Sequence, residues 1–559
     1  MSLSTPTPDR RWATSHTIPE PHRIDPAPAG LRGEFDDYLD TRYPTLSTAN
    51  VGEAFPGTLT PMSLIVGRGA LRVSGAIQVE MLGMRDEAAV AAQRTLAIAS
   101  VAHRLYTNVS VVHAMARAMP GTSPREVDEH ILGIRHDPAD DAHDDPVPVL
   151  ESVRSALTVP AAVVRMAGTG RRVNALGQRI RTLSHSPEEL RMLDDHALLA
   201  LVEELHGTTL DAWAYSTTTN LVASAAQTLV RKVAPELDAA AMRGGTGELA
   251  SAALLTGVAR LADIARARPA LAAVLDAEPS TELVDRLMTL DSAFAQEFWA
   301  VIGESGHRGP GETELANLMY ADNPAALLDA IRTTLHVPSR PVSSPVGISA
   351  LPRRAITLLN AAVRRRERCK DVVVRSTHAL RTALREIGRR QVEAGVFAQA
   401  GDIFYLTPVE LADLPEHAER IPGRRAERDR LSALSIPSLF TLRWEPQNRG
   451  LSTNSAPLNG VGASPGVVRG PARIMRDPDD DIEPGDVLVV TVTDVGWTAL
   501  FGGVGAVVTD VGGLHSHAAI IAREFGIPCV VGTERATLDL TDGQMIEVDG
   551  SSGTVKPVN

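Results

Sequence analysis

The chain has little with which to cross-link itself: two cysteines, Cys369 and Cys529, in 559 residues. That excludes a disulfide framework of the secreted kind. Aromatic residues supply only 4% of the sequence, so Ala, Leu and Val must fill the cores, which suits closely packed helices. Long apolar runs are missing too. No stretch approaches the roughly 20 residues needed to span a bilayer, and no apolar signal segment opens the sequence, so a cytoplasmic protein without a membrane partner is expected. Positive charge is in deficit, with 55 Lys and Arg against 68 Asp and Glu and a formal charge of −13. Nucleic-acid backbones are gripped by clustered cations, so no nucleic-acid partner is expected and any phosphate site must be local. A P-loop is also lacking, because no lysine follows the glycine string Gly244-Gly245-Thr246-Gly247.

Within those bounds, 44% hydrophobic and 22% charged residues describe a globular chain large enough for two or more cores. Residues 1–35, rich in Pro, Ser and Thr, read as an extended, loosely attached arm. Across 36–444 the patterning is mainly helical. Apolar residues recur at helical spacing over 88–119, 187–205, 210–233, 249–267 and 353–393, which predicts a mainly α-helical substrate-binding domain with room for a cavity between helices. The basic run Arg364-Arg365-Arg366 with Arg368 and Lys370 reads as a solvated helix face. Residues 445–458 read as a hinge linker. Beyond it, 459–559 has the texture of a small α/β module, with short Val-rich runs at 467–468, 487–492, 506–509, 529–531, 545–548 and 554–555 between glycine turns. Asp542-Gly543 and Asp549-Gly550 are turn dipeptides. The acidic stretch 477–481 is most simply a solvated loop.

The most informative string is GGLHSHAAIIAREFGIP, residues 512–528. A strand-like run, 506–509, leads into the glycines, and Ser516 can cap a helix whose body is Ala518 to Phe525. His517 then stands on the first turn, where unpaired backbone N–H groups and the helix dipole favour an anion. A neutral imidazole is nucleophilic near pH 7, so this position suits a phosphoryl group carried on histidine. Two other readings stand beside it. A histidine after a glycine turn is commonly a surface residue, and His515-Ser516-His517 also has the form of a metal pair serving a metal-dependent hydrolase. No nearby cysteine or third histidine completes such a site, and none is expected.

The segment GGLHSHAAIIAREFGIPCVVG at 512–532 resembles the phosphohistidine segment of the swivelling domain of the PEP-utilising enzymes. The likeness extends upstream through Gly462-Ala463-Ser464-Pro465-Gly466, Asp486-Val487-Leu488-Val489-Val490 and Thr493-Asp494-Val495-Gly496-Trp497-Thr498, though the family often has proline at position 495. Further strings are similar to the substrate-binding domain of rifampicin phosphotransferase-like members. These are 50–61, Arg104-Leu105-Tyr106-Thr107-Asn108, Gly306-His307-Arg308-Gly309-Pro310-Gly311-Glu312 and Asp402-Ile403-Phe404-Tyr405-Leu406-Thr407. Together they bring the resemblance to roughly 36–559.

The resemblance implies that the phosphorylated residue is the histidine followed by Ala-Ala, His517, with His515 a neighbour. Gly512, Gly513 and Ser516 are expected at the phosphate; Arg523, about two turns along the helix, joins them if its surroundings bring it back and is otherwise a surface or interdomain residue. In the 306–312 loop, His307 or Glu312 is placed to take a proton from an acceptor hydroxyl and Arg308 to neutralise phosphoryl oxygens, while buried salt bridges that only stitch helices are the plain alternative. Asn50, Arg104 and Asn108 read as structural. The family loads its histidine from an ATP-grasp domain or a PEP-binding barrel. Neither is legible in this sequence, so an ATP-grasp-type partner protein using ATP and Mg²⁺ is expected, with a small hydroxyl-bearing organic molecule as acceptor. A non-catalytic binding protein with a vestigial carrier is the alternative.

Overall fold

The structure, a computed structural model, describes residues 18–49, 51–82, 87–118, 124–128, 169–233, 250–335, 350–447, 457–475, 482–497, 500–514 and 516–558. The chain forms two compact units. The first takes residues 1–224, 313–316 and 372–447, and the second takes 225–312, 317–371 and 448–559. This division runs through the helical region itself, because the helix Ala350–Glu393 changes membership at Val372. Of the expected linker at 445–458, residues 448–456 lie outside the described residues.

In the first unit, long helices Pro61–Leu82 and Thr169–Leu183 and the part of Asp195–Val233 up to Ser224 accompany the later part of Ala350–Glu393. Their apolar faces meet in a core that includes Met62, Leu201, Leu205, Leu380 and Phe404. A four-stranded antiparallel sheet is added in the order Ile98–Val101, Arg104–Asn108, Thr45–Ser47, Leu439–Thr441. The first two of these strands correct the single helix expected over 88–119, where Glu87–Thr95 and Val109–Ala118 alone are helical. Ala102 and His103 have φ of 47° and 56°, a left-handed pair that turns the chain, and β-branched or aromatic residues then favour a strand.

Residues 18–35 of the expected arm belong to the same unit. The strand Arg23–Ile24 pairs with Leu39–Asp40, Glu34 bonds Arg424 at 2.8 Å, and the Trp444 amide donates to the Pro26 carbonyl at 3.1 Å. A Pro-rich composition conceals such long-range ties. Residues 1–17 lie outside the described residues.

In the second unit, helices Ala250–Arg266, Ser292–Ser305 and Pro324–Leu335 share a core around Leu261, Phe294, Phe298 and Leu327. The α/β module contributes a parallel run of strands, Val467–Ile474, Val487–Val490, Ala506–Thr509 and Cys529–Val531. Antiparallel strands flank it, Val461–Ser464 on one side and Met545–Asp549 with Thr554–Pro557 on the other. The alternation of fully buried residues along Val487–Val490 feeds two cores, Leu488 and Val490 facing one and Val487 and Val489 the other, as expected for a sheet covered on both faces. Gly550 is required by close approach, since a Cβ there would lie 1.9 Å from the Ser464 carbonyl oxygen. No helix among the described residues is long and apolar enough to cross a membrane.

Candidate functional site

The helix His517–Phe525 follows the strand Ala506–Thr509 through a glycine loop. Ser516 caps it, accepting from the Ala519 amide at 3.2 Å, and Gly526 ends it in the left-handed conformation at φ 65°. His517 is therefore the first helical residue, at the positive end of the helix dipole. The two alanines that follow are 2% and 0% exposed and lie against Leu488, Phe501 and Val531, so small side chains let the helix start close to the sheet. Gly512 has φ of 143°, open to glycine but strained for other residues. The Gly513 carbonyl accepts from the Ser516 amide at 3.0 Å. Arg523 returns toward the loop: its guanidinium donates to the Ala463 carbonyl at 2.9 Å and to that of Leu514. His515 lies outside the described residues.

The GHRGPGE loop belongs to the same unit. It follows the helix Ser292–Ser305, and the Ala321 and Tyr320 amides donate to the carbonyls of Gly306 and Arg308 at 2.7 and 3.0 Å. His307 Nε2 lies 2.8 Å from Asp371 Oδ1, so a carboxylate orients the imidazole. Arg308 makes a two-pronged pair with Glu312, Nε to Oε2 at 2.7 Å and Nη2 to Oε1 at 3.2 Å, with side chains only 3% and 7% exposed. Lys370 Nζ stands 4.0 Å from Glu312 Oε1 and is half exposed.

The carrier loop and this loop meet within the unit. Burial foremost, then the positive charges of Lys370 and Arg308, push the His517 pKa down to about 3, leaving a neutral ring. Phe501 meets that ring edge to face, with centroids 6.3 Å apart. Asp494 of the module accepts from the Gly311 amide at 2.5 Å and from the Gly496 amide at 2.8 Å. Its carboxyl is pushed up to about 6, chiefly by burial and further by the charge of Glu312, against the pull of those two amides and Lys370.

Three of these residues escaped the sequence reading. Asp371 and Lys370 sit on a helix whose pattern shows only amphipathicity, and Lys370 had been read with the solvated basic face. Asp494 lay inside a matching string but carried no assigned role. Arg104 and Asn108 are occupied structurally, Arg104 with the Leu431 and Leu434 carbonyls at 3.2 and 3.0 Å and Asn108 with that of Tyr43 at 3.0 Å. Asn50 lies outside the described residues. Among the described residues no group of three His, Cys, Asp or Glu is placed to hold a metal ion.

The first unit holds a narrow gap, with room for little more than a water molecule, lined by Phe55, Ser63, Thr209, Trp213, Thr313 and Thr377 among others. Phe55 and Trp213 stack with centroids 5.0 Å apart. The four hydroxyls already donate inward: Ser63 to Glu314 at 2.6 Å, Thr313 to the Ala54 carbonyl at 2.5 Å, Thr209 to that of Leu205 at 2.8 Å and Thr377 to that of Val373 at 2.9 Å. The gap thus has an aromatic wall and acceptor oxygens.

Residues 482–553 match the family profile described as the PEP-utilising enzyme mobile domain, and 212–390 match the rifampicin phosphotransferase fourth domain. An uncharacterised protein of Mycobacterium tuberculosis is 35% identical over 553 residues, 95% of this chain and 63% of that protein. Rifampicin phosphotransferases of a Streptomyces species and of Bacillus subtilis are 32% and 35% identical over 332 and 212 residues, covering 53% and 36% of this chain and 38% and 24% of theirs. The chain thus spans about two thirds or less of the length of these relatives, and it is a relative of the rifampicin phosphotransferase-like PEP-utilising enzymes.

Proposed function

We propose that the protein is a phosphotransferase component in which His517 carries a phosphoryl group from an ATP-grasp-type partner, using ATP and Mg²⁺, to the hydroxyl of a small organic molecule bound in the helical region. The observation that carries this reading is the neutral His517 at a helix N-terminus facing the charges of Arg308 and Lys370. The imidazole takes up the phosphoryl group, and the positive end of the helix dipole favours its negative oxygens.

In the second step the phosphorus–nitrogen bond breaks as the acceptor oxygen bonds to phosphorus. The acceptor's proton passes to His307, which Asp371 holds in orientation at 2.8 Å. Arg308 and Lys370 neutralise the spreading charge, and in-line positioning supplies most of the acceleration. Movement of the module lets one histidine serve two sites.

The test mixes the protein with a candidate ATP-grasp partner and γ-labelled ATP. Acid-labile, base-stable label is expected that disappears in His517→Ala and persists in His515→Ala. Absence of label with every such partner sinks the proposal.

A further inference from the structure

We propose that Asp494 is a positioning residue that clasps the module's 493–497 loop to the Gly306–Glu312 loop, setting His517 beside Arg308 and Lys370; the purpose assigned to this clasp rests on the carrier reading above. One carboxylate oxygen reaches across to the other loop, while the second closes a turn within its own. Oδ2 accepts from the Gly311 amide at 2.5 Å, and Oδ1 accepts from the Gly496 amide at 2.8 Å. Charge-assisted bonds of this kind are short and directional, so they fix the distance between the loops as well as their attraction.

The surfaces on either side are shaped for that approach. A Cβ on Gly496 would lie 2.6 Å from Pro310 Cβ, so the module's loop meets Pro310 with no side chain between them. Gly311 holds φ of 57°, and Asn317 Nδ2 donates to the Pro310 and Gly311 carbonyls at 3.2 Å each, which keeps the loop in the form that presents its amide.

The chemistry of the clasp favours a contact that opens. A carboxylate buried beside Glu312 loses its water and gains a like-charged neighbour, so it is a poor device for permanent adhesion. The Gly311 amide offsets that cost only while the loops touch, whereas the Gly496 amide is part of Asp494's own turn. Once the loops part, Asp494 and the Gly311 amide regain water. The arrangement therefore supplies register without locking the carrier in place.

The test uses the full chain with Asp494→Ala and, independently, Gly496→Ala, which inserts a methyl where Pro310 stands. Diethyl pyrocarbonate at neutral pH reports how accessible the His517 ring is, read by peptide mass mapping. Loss of the charge-assisted bond to Gly311 in Asp494→Ala, and the clash with Pro310 in Gly496→Ala, should each raise the His517 acylation rate about tenfold, with far-UV circular dichroism unchanged. Phosphoramidate, a small phosphoryl donor that needs no partner, should load His517 faster in the same variants. Acylation of His517 at the wild-type rate in both folded variants overturns the clasp. Should Asp494→Ala fail to fold, Gly496→Ala decides alone. Failure of phosphoramidate to load wild-type His517 in the acylation-competent state counts against the carrier reading, while the acylation rates still decide the clasp.

Discussion

Two histidines in this protein share an electrostatic signature and differ in everything else. His103, in the first unit, has its pKa pushed down to about 4, by burial first and then by Arg104, Arg428, Arg430 and Arg424. His517, in the second, is pushed to about 3 by burial, Lys370 and Arg308. His103 is wholly buried at a hairpin turn with φ of 56°. Its amide donates to Asp36 at 3.1 Å, its carbonyl accepts from Leu59 at 2.9 Å, and its ring lies 5.5 Å from Phe35 and 3.4 Å from a Glu427 oxygen. His517 is only partly buried and opens a helix. A depressed pKa marks burial among cations, and such burial occurs at structural turns as well as at sites. What separates the two is the backbone: His103 sits in a hairpin turn with both main-chain groups bonded, whereas His517 opens a helix, at the end of the dipole that favours an anion.

The comparison predicts opposite consequences of truncation. His103→Ala removes a fully packed ring and leaves a cavity, so it should destabilise the first unit by about 2–4 kcal/mol, read as a lowered denaturant midpoint. His517→Ala should cost less than about 1 kcal/mol yet abolish label uptake. A stable His103→Ala paired with a strongly destabilised His517→Ala would reverse the assignment of structural and functional roles. A smaller effect belongs to Ser516→Ala. Loss of the cap should weaken the helix His517–Phe525 by about 1 kcal/mol, seen as faster hydrogen exchange at the Ala519 amide.

The two histidines also show what the sequence made legible. The strand, glycine turn, Ser516 cap and helix were readable because each depends on a few adjacent residues, and the short Val-rich runs of the module became strands at the expected places. His517 stood out for the same local reason. The turn at Ala102-His103 did not, because positive φ in two non-glycine residues is imposed by tertiary bonds such as that to Asp36. Asp371, Lys370 and Asp494 were hidden likewise: each meets its partner across 58 or more positions of chain, or 183 for Asp494 and Gly311. Periodicity records which face a residue occupies, and only the folded chain shows what that face meets.

The weakest effect offers the sharpest test of how the carrier loop is seated. Take the ordinary values as those of the separated loops: 6.5 for His517 and 3.8 for Asp494, against about 3 and about 6 when seated. Between pH 3 and 6.5 the separated form binds the extra proton at His517, so that residue favours seating above pH 6.5 and the benefit is lost as pH falls toward 3. Asp494, facing Glu312 and Lys370, acts in the other direction. Its raised pKa favours seating below pH 3.8, and that benefit is lost as pH rises through about 6. Where the windows overlap, between about pH 3.8 and 6, the two residues exchange one proton each in opposite directions, so acidification from pH 6 to 4 should leave the wild-type contact little changed. His517→Gln leaves Asp494 alone, and the same acidification should then tighten it. Hydrogen exchange at the Gly311 and Gly496 amides, corrected for the intrinsic pH dependence of exchange, follows both cases. If the two proteins show the same trend, the two residues are not opposed across this contact.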